Sequence, residues 1–257
     1  MTKAVALLVA LVLASASAQS GECALTYVAN AGVLFETNGR KFLFDAPIDD
    51  TASQQLRRIE KAAPPFDRIT AILTTHWHYD HITAARAAAF LRTSPSTQLV
   101  SSQQVIDLVR KEAVTGIAGS QLVAVTPDPG TSARMTAGGV TIHVLRMRHN
   151  PSRNFPNEHV GFLVEGCRTV MHSGDADPAD DNFMVLRSLP RIDTAILPFW
   201  YMQGDNNRQM VASSIRPARV VGIHIAEGDS DNVSRRLASV PNLTLFTNPG
   251  MRIQLAK

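Results

Sequence analysis

The feature that most constrains this chain is a short segment dense in metal-binding side chains that directly follows an apolar stretch. Residues 75–81 read Thr-His-Trp-His-Tyr-Asp-His, and residues 69–74 before them are typical of a buried β-strand. Side chains two residues apart diverge on a helix but share one face of an extended chain. His76 and His78 therefore meet at one site only if the segment leaves the strand as a loop. The chain must then turn before the last two residues of the segment.

A helix is predicted directly after this segment. Residues 84–90, Ala-Ala-Arg-Ala-Ala-Ala-Phe, are strongly helix-forming. The amino end of such a helix, with its free amide groups and positive dipole end, would point toward the histidines and favour a carboxylate or hydroxide there. A histidine-rich loop that arose by chance is the alternative interpretation. The agreement of strand, loop and helix favours a metal site.

Length and composition exclude several classes of protein. The chain has 257 residues, of which 45% are hydrophobic and 18% charged, so it is not a disordered tail, a collagen-like fibre or a disulfide miniprotein. Its formal net charge is only +3. Because no run of basic residues with interleaved aromatics is present, we expect a small-molecule substrate and no nucleic-acid partner. The oligomeric state is left open.

The first eighteen residues have the pattern of a secretory signal peptide. Lys3 supplies a positive start, residues 4–13 are apolar, and residues 16–18, Ala-Ser-Ala, form a small-x-small cleavage pattern. The apolar run is shorter than the roughly 20 residues that span a bilayer. We therefore expect cleavage after Ala18, a periplasmic or secreted protein, and no stable membrane insertion.

The two cysteines lie far apart in the sequence. Cys23 precedes the first predicted strand, and Cys167 lies in a predicted hairpin turn. Export would allow a disulfide to persist. The sequence does not show whether their Cα atoms approach each other, so a disulfide and two free thiols both remain open.

The mature chain alternates between short β-rich runs and helical stretches. The strands begin as a meander with a turn at Asn38-Gly39 and end in βαβ-like alternation, which indicates two sheets in contact with helices outside, as one domain over residues 19–257. Strands are predicted at residues 25–29, 33–37, 41–45, 69–74, 98–100, 121–125, 140–147, 160–164, 169–171, 194–197, 219–223 and, as the last strand, 243–246, and helices at residues 51–61, 84–90, 179–188, 209–215 and 231–238.

The pattern H-x-H-x-D-H at residues 76–81 resembles the signature of the metallo-β-lactamase superfamily. The resemblance implies an α+β fold, a four-layer αββα sandwich with two metal ions at one edge. It also implies three further ligands in a fixed order: a histidine at a strand end, an aspartate after a hairpin, and a late histidine. His149, Asp175 and His224 stand in that order, so the resemblance covers residues 25–224.

Carried over from the family, the ligands divide into two groups. Imidazole and carboxylate ligands with room for solvent suit two Zn²⁺ ions, with iron or manganese as alternatives. A bridging hydroxide would then attack a carbonyl carbon or a phosphorus atom. The first metal would take His76, His78 and His149, and the second Asp80, His81 and His224, with Asp175 bridging both.

Two aspartates have additional roles by the same resemblance. Asp80 would be catalytic, because it would orient the hydroxide besides binding metal. Asp45 resembles a family aspartate that holds a ligand histidine from behind. A turn-forming aspartate before proline is an equally good interpretation of Asp45.

Three more histidines are present outside the proposed ligand set: His143, His159 and His172. His159 competes with His149 for the third position at the first metal, and the family order favours His149. His143 alternates with apolar residues of its strand, which indicates an outward or cavity-lining position. His172 adjoins the turn before Asp175 and is expected to pack there or to support a ligand.

Substrate contacts are expected from two loops. Trp200 and Tyr201 follow the predicted strand at residues 194–197 and would line the metal mouth, where Tyr201 would act catalytically by protonating a leaving group. A hydrophobic plug in the core is an equally good interpretation. Arg153, in a second loop, would bind an anionic substituent, although an exposed arginine without a partner is the commoner case.

The ligand set resembles that of hydrolases acting on thioesters, lactones and phosphodiesters. True β-lactamases as a rule lack a bridging aspartate at the position of Asp175. Residues 31–37 and 40–47 resemble the branch of ascorbate-6-phosphate lactonase and N-acylphosphatidylethanolamine phospholipase D. We therefore expect an exported dinuclear zinc hydrolase of a small ester, lactone or phosphodiester. The alternatives are a β-lactamase, an iron-dependent oxidoreductase and a non-catalytic metal-binding protein.

Overall fold

Two seven-stranded sheets form the framework of a computed structural model that describes residues 22–49, 53–113, 115–150 and 157–255. The first sheet contains β1 (Ala24–Ala29), β2 (Gly32–Thr37), β3 (Arg40–Phe44), β4 (Ala71–Leu73), β5 (Gln98–Ser101), β6 (Leu122–Ala124) and β14 (Arg252–Gln254), in the order β14-β1-β2-β3-β4-β5-β6. The second contains β7 (Ser132–Ala137), β8 (Val140–Arg146), β9 (Val160–Glu165), β10 (Thr169–His172), β11 (Thr194–Pro198), β12 (Arg219–Ile223) and β13 (Leu243–Leu245), in the order β13-β12-β11-β10-β9-β8-β7.

Helices cover the outer face of each sheet. The first sheet is covered by α1 (Gln54–Glu60), α2 (Ala84–Thr93) and α3 (Gln103–Glu112), followed by the 3₁₀ turn Gly119–Gln121. The second is covered by the 3₁₀ segments Asp180–Ser188 and Phe199–Met202, by α4 (Asp205–Met210) with its π-helical continuation Val211–Ile215, and by α5 (Ser230–Leu237). Among the described residues, these helices are all too short or too polar to span a membrane.

Alternation along the strands separates three apolar layers. On β2, Val33 and Phe35 enter the core between the sheets, whereas Leu34 packs under the helices of the first sheet. On β8, Val144 enters the same central core and Leu145 packs under the helices of the second sheet. Because the strands are buried on both faces, the layers must stack in the order helices, sheet, sheet, helices. The predicted αββα sandwich is therefore confirmed.

The predicted amino-terminal meander is present, with its turn at the expected residues. β1, β2 and β3 pair antiparallel, and Thr37 faces Arg40 across the second turn. Asn38 and Gly39 have φ values of 50° and 73°. Two successive positive φ values characterise the type I′ turn that asparagine followed by glycine favours in two-residue hairpins.

Some elements differ from the sequence-based expectation. Helix α3 and the strands β7 and β14 were not predicted. The helix expected at residues 179–188 is 3₁₀, and the one expected at 209–215 begins earlier, at Asp205. β14 is three residues long and pairs with β1, which is more than 220 residues away in the sequence, so no local pattern predicts it. The signal in α3 was local: Ser102 caps it by accepting a hydrogen bond from the Val105 amide.

A disulfide between Cys23 and Cys167 joins the two sheets. Their Cα atoms lie 5.9 Å apart although 144 residues separate them in sequence. Cys23 precedes β1 in the first sheet, and Cys167 lies in the turn between β9 and β10 of the second. The Cys167 amide also donates a hydrogen bond to the Thr37 hydroxyl of β2. The pairing that the sequence left open is thus present across the central core.

Candidate metal centre

The histidine-rich segment leaves β4 as a loop and turns back on itself. It has no regular secondary structure, and the amides of His81 and Ile82 both donate hydrogen bonds to the carbonyl oxygen of His78. This tight turn brings Asp80 and His81 back beside His76. The sequence analysis predicted such a loop, because His76 and His78 can meet at one site only on an extended chain.

Three histidines form the first donor group. The His76 Nε2 atom lies 2.9 Å from His78 Nδ1 and 3.2 Å from His149 Nε2. His149 follows β8 and forms an isolated bridge with Ala176, so the segment after β10 holds the segment after β8 in place. The three nitrogen atoms lie within 4.8 Å of one another.

Asp80, His81 and His224 form the second donor group. The Asp80 Oδ2 atom lies 3.2 Å from His224 Nε2 and 3.9 Å from His81 Nε2. His224 follows β12 with a φ of 63°, and its amide donates to the carbonyl oxygen of Asn30. The end of the second sheet is thereby tied to the turn between β1 and β2.

Asp175 lies between the two groups. Its Oδ2 atom is 3.4 Å from His81 Nε2, 3.4 Å from His224 Nε2 and 4.0 Å from His149 Nε2. Gly174 before it has a φ of 53°, and a Cβ there would lie 2.6 Å from the Thr75 hydroxyl oxygen. Only glycine lets the Asp175 turn approach the histidine-rich loop this closely.

The donor atoms fit metal ions better than they fit one another. Among the described residues, the buried atoms His81 Nε2, His224 Nε2 and Asp175 Oδ1 have no hydrogen-bond partner. Two nitrogen atoms bound to one tetrahedral zinc at about 2.1 Å would lie about 3.4 Å apart. The two nitrogen distances measured from His76, 2.9 and 3.2 Å, are close to that value, so the first group fits a metal ion, and the second group offers three further donors.

Asp45 orients one histidine of each donor group through hydrogen bonds on the side away from the proposed metal ions. It is fully buried, and its Oδ2 atom lies 2.9 Å from His81 Nδ1 and accepts a hydrogen bond from the Thr75 hydroxyl at 2.8 Å. Since that hydroxyl donates to Asp45, its oxygen is left to accept from His76 Nδ1 at 3.0 Å. His76 and His81 therefore both present Nε2 to the cluster.

The electrostatic environment differs between the groups. Burial lowers the pKa of His76, His78 and His149, which leaves neutral imidazoles whose lone pairs are free for a metal. Burial also opposes charge on His81 and His224, but the neighbouring carboxylates outweigh it and raise their pKa values to about 10 and about 9.

The two carboxylates of the centre stay ionised. Burial by itself would raise the pKa of Asp80, but His224 and His81 lower it to about 2. The same two histidines outweigh burial at Asp175 and hold its pKa far below the ordinary range. The two carboxylates therefore stabilise positive charge on His81 and His224, and a bound metal ion would take the place of those two protons.

Asn30 is a residue of the centre that the sequence analysis missed. It lies in the turn between β1 and β2, and its side-chain amide donates to the Asp80 carbonyl oxygen at 2.9 Å and to Asp80 Oδ2 at 3.1 Å. Its φ of 46° suits asparagine, which tolerates the left-handed region. The one sequence signal was the pair Asn30-Ala31 between two strands, which indicated only a turn.

The predicted substrate residues fall in three different places. Trp200 lies beside the second group, with its ring 5.1 Å from that of His224, and its buried indole N–H has no acceptor among the described residues. Tyr201 differs from its expected position at the mouth: it is fully buried and donates its hydroxyl hydrogen to the Ala176 carbonyl. It packs as part of the core, because the 3₁₀ turn points it inward. Arg153 lies outside the described residues.

The other three histidines lie outside the donor groups found among the described residues. His159 is fully buried, its ring lies 5.1 Å from that of His76, and neither of its ring nitrogens has a hydrogen-bond partner among the described residues. It belongs to neither donor group, which favours His149 for the third position. His172 forms a hydrogen bond from Nε2 to the Ala31 carbonyl oxygen, and its ring stacks on that of Phe44, which is the packing role expected of it. His143 pairs with Glu165 at 2.7 Å, away from the centre.

The sequence also matches a family model. Residues 40–225 match the model described as the beta-lactamase superfamily domain, which is more than half of the chain. The chain belongs to this superfamily. The match and the fold together bear out the prediction of a metallo-β-lactamase superfamily enzyme. No curated protein matches the sequence.

Several solved structures share this fold at low sequence identity. A metallo hydrolase from Ignicoccus hospitalis is 20% identical, with a TM-score of 0.66 over 91% of this chain and 98% of its own. CmlA, a diiron β-hydroxylase from Streptomyces venezuelae, is 16% identical, with a TM-score of 0.62 over 91% of this chain and 54% of its own. The short form of human tRNase Z is 17% identical, with a TM-score of 0.58 over 91% of this chain and 100% of its own.

These structures differ in the chemistry that their names state. The chain spans about half of the CmlA protein, whereas it spans nearly all of the other two. Superfamily membership therefore settles the fold and the capacity of the His and Asp groups to bind metal, and leaves the reaction to the chemistry of the site.

Proposed function

We propose that this protein is a dinuclear metal-dependent hydrolase of a small ester, lactone or phosphodiester. The observation that carries the proposal is the position of Asp175, with one carboxylate oxygen 3.4 Å from two donors of the second group and 4.0 Å from a donor of the first. Two donor groups that share a carboxylate are the arrangement needed to hold a pair of metal ions against one substrate.

Zinc is the proposed metal, because three neutral imidazoles suit it well. When bound, two such ions lower the pKa of water and polarise a carbonyl or phosphoryl oxygen. Manganese and iron remain alternatives on ligand type.

Asp80 is the proposed catalytic carboxylate. Its side chain is 30% exposed, against 13% for Asp175, so it reaches the open side of the centre. Because a carboxyl group with a pKa of about 2 is a weak proton acceptor, Asp80 would orient the attacking water rather than take its proton. Asn30 holds the carboxylate in place through its two hydrogen bonds.

Export is proposed from the signal-peptide pattern at residues 1–18. The disulfide between Cys23 and Cys167 supports this, since disulfides persist mainly in oxidising compartments. A small-molecule substrate is proposed from the absence of a basic, aromatic-interleaved run in the sequence, although one neighbour is a tRNase. Within the superfamily, we place the chain near the lactonase and phospholipase D branch on the resemblance of residues 31–37 and 40–47.

A second candidate is an iron-dependent oxidoreductase. It is favoured by the likeness in fold to CmlA, which is named a diiron β-hydroxylase. Oxygen consumption by iron-loaded protein, with no hydrolysis by the zinc-loaded form, would decide for this candidate.

The test of the proposal combines metal analysis with a substrate panel. Protein beginning at residue 19 should bind two divalent ions per chain and hydrolyse members of a panel of p-nitrophenyl esters, lactones and bis(p-nitrophenyl) phosphate in preference to nitrocefin. Asp80→Ala should lower kcat/KM by at least about a thousandfold, in line with the loss of a metal ligand that also orients water. Asp107→Ala, at a carboxylate on α3 whose side chain is 49% exposed, is the matched control and should leave kcat/KM unchanged. Two bound ions without turnover of any panel member would reject the hydrolase proposal, and a preference for nitrocefin would indicate a β-lactamase.

A further inference from the structure

A cleft opens beside the second donor group, and none of the residues that line it is a proposed metal ligand. Its volume is about 420 Å³, within the range of small-molecule sites. The turn between β1 and β2, the loop after β12 and the loop before β14 enclose it.

Two residues connect the cleft to the metal centre. Asn30 lines it while donating its side-chain amide to Asp80 and accepting the His224 amide at its carbonyl oxygen. Ile225, the next residue after His224, lines it as well. A group in the cleft would therefore lie directly beside the second donor group.

The floor of the cleft is apolar and held by packing and hydrogen bonds, whereas the rest of its lining is largely polar. Tyr27, Ala29, Ile48 and Ile225 are all less than 9% exposed. Tyr27 stacks on Phe246 with ring centroids 5.4 Å apart. Its backbone exchanges two hydrogen bonds with the loop before β14, from the Gly250 amide and to the Met251 carbonyl. A floor fixed in this way is formed before a ligand arrives, which lowers the entropic cost of binding.

The charge of the cleft selects against anions. Among the described residues that line it, Glu227 is the charged one, and none is Lys, Arg or His. Glu227 is exposed at the rim. A carboxylate or phosphate group in the cleft would approach Glu227 with no Lys, Arg or His side chain in the lining to pair with, whereas the alkyl part of an uncharged group would meet the apolar floor.

We propose that this cleft binds an uncharged substituent of the substrate, with its alkyl part on the floor, while the scissile carbonyl lies at the metal centre. The inference rests on the proposed hydrolase function and narrows it to neutral esters or lactones with an alkyl substituent. Burial of methylene groups on the floor supplies the binding energy.

Chain length is the first test. On zinc-loaded protein, kcat/KM for p-nitrophenyl hexanoate should exceed that for the acetate at least tenfold, because each fully buried methylene is worth up to about fourfold in binding. Ala226→Trp places a bulky ring in the cleft from an exposed position and should reduce this ratio to about one. Met184→Trp adds the same ring at an exposed position of the distant 3₁₀ segment and should leave the ratio unchanged.

Charge is the second test. The p-nitrophenyl monoester of adipic acid, which carries a terminal carboxylate, should be cleaved at least tenfold less well than the hexanoate. Glu227→Lys should raise kcat/KM for the adipate monoester by about fivefold at low salt, and Glu227→Gln should fall between, because the rim charge acts through solvent. Equal rates for the two esters in all three proteins would overturn the assignment of the cleft to uncharged groups.

A binding measurement separates this inference from the hydrolase proposal. The uncharged amide N-hexylacetamide is titrated by saturation-transfer NMR against wild type, Ala226→Trp and Met184→Trp, and only Ala226→Trp should weaken binding, at least fivefold. If no ester is hydrolysed but this pattern holds, the cleft binds apolar groups and the hydrolase proposal alone fails. A second outcome is that p-nitrophenyl acetate is hydrolysed while acyl chain length, Ala226→Trp and Glu227→Lys change neither turnover nor binding. In that case the cleft inference is rejected and the hydrolase proposal stands.

Discussion

The side-chain amide of Asn30 donates hydrogen bonds to both the carbonyl oxygen and the Oδ2 atom of Asp80. The two residues lie 50 positions apart, on the first turn of the first sheet and in the histidine-rich loop. The contact fixes the orientation of the most exposed carboxylate of the proposed metal centre.

Asn30→Gly should weaken metal binding at the second donor group about tenfold or more, the usual cost of losing a group that orients a ligand. Glycine accepts the φ of 46° at this position, so the change removes the amide without straining the turn. Competition with a chromogenic zinc chelator measures the affinity. Asn38→Gly, at a positive φ in the neighbouring turn, is the matched control. Equal weakening in both variants would assign the effect to the backbone instead of the amide.

Asp45→Asn should reduce zinc affinity about 10- to 100-fold. The Asp45 carboxylate makes one hydrogen bond with His81 and accepts two from Thr75. The asparagine side chain has only one acceptor oxygen in place of two. The same chelator competition measures the loss, and circular dichroism checks that the fold persists. An affinity within twofold of wild type would show that His81 does not depend on Asp45 for its orientation.

Loss of the disulfide should lower the free energy of unfolding by about 2–4 kcal/mol, because the cross-link closes a loop of 144 residues in the unfolded chain. Urea unfolding of the protein with and without dithiothreitol measures the difference. The double variant Cys23→Ala, Cys167→Ala should unfold at the lower midpoint under both conditions. Identical midpoints for oxidised wild type and this variant would contradict the prediction.

The ion pair between Lys41 and Asp67 should make a small, pH-dependent contribution to stability. Their charged atoms lie 2.6 Å apart, and the hydrogen bond from Lys41 lowers the pKa of Asp67 below its ordinary value. A carboxyl group whose pKa is lowered by folding stabilises the protein above its unfolded pKa of about 3.9, and this contribution is lost as the pH falls below that value.

Asp67→Asn should therefore cost about 0.5–1 kcal/mol of unfolding free energy at pH 7 and little at pH 3. Urea unfolding at the two pH values measures the difference. In a Lys41→Met background the same substitution should cost less at pH 7, because the partner charge is gone. A cost that stays constant between pH 3 and pH 7 would show that the pair contributes nothing through charge.

Local patterns predicted most of the fold because the residues concerned interact with near neighbours in sequence. The meander turn at Asn38-Gly39 depends on the backbone preferences of two residues, and α2 depends on its own alanines. The 3₁₀ segment Asp180–Ser188 has helical spacing of its buried residues but not α-helical hydrogen bonding, so the pattern indicated a helix without its type. Strand β14 escaped because its pairing partner is more than 220 residues away.

The sequence by itself determined the histidine-rich turn, because four donors within six residues between a strand and a helix leave the chain few other arrangements, and it determined the order of the later donors through the family pattern. Only the tertiary structure decided that Cys23 bonds to Cys167, that Asn30 holds Asp80, and that Tyr201 lies in the core. Each of these depends on distances between segments far apart in the chain. Such distances follow from how the two sheets pack, which no local preference encodes.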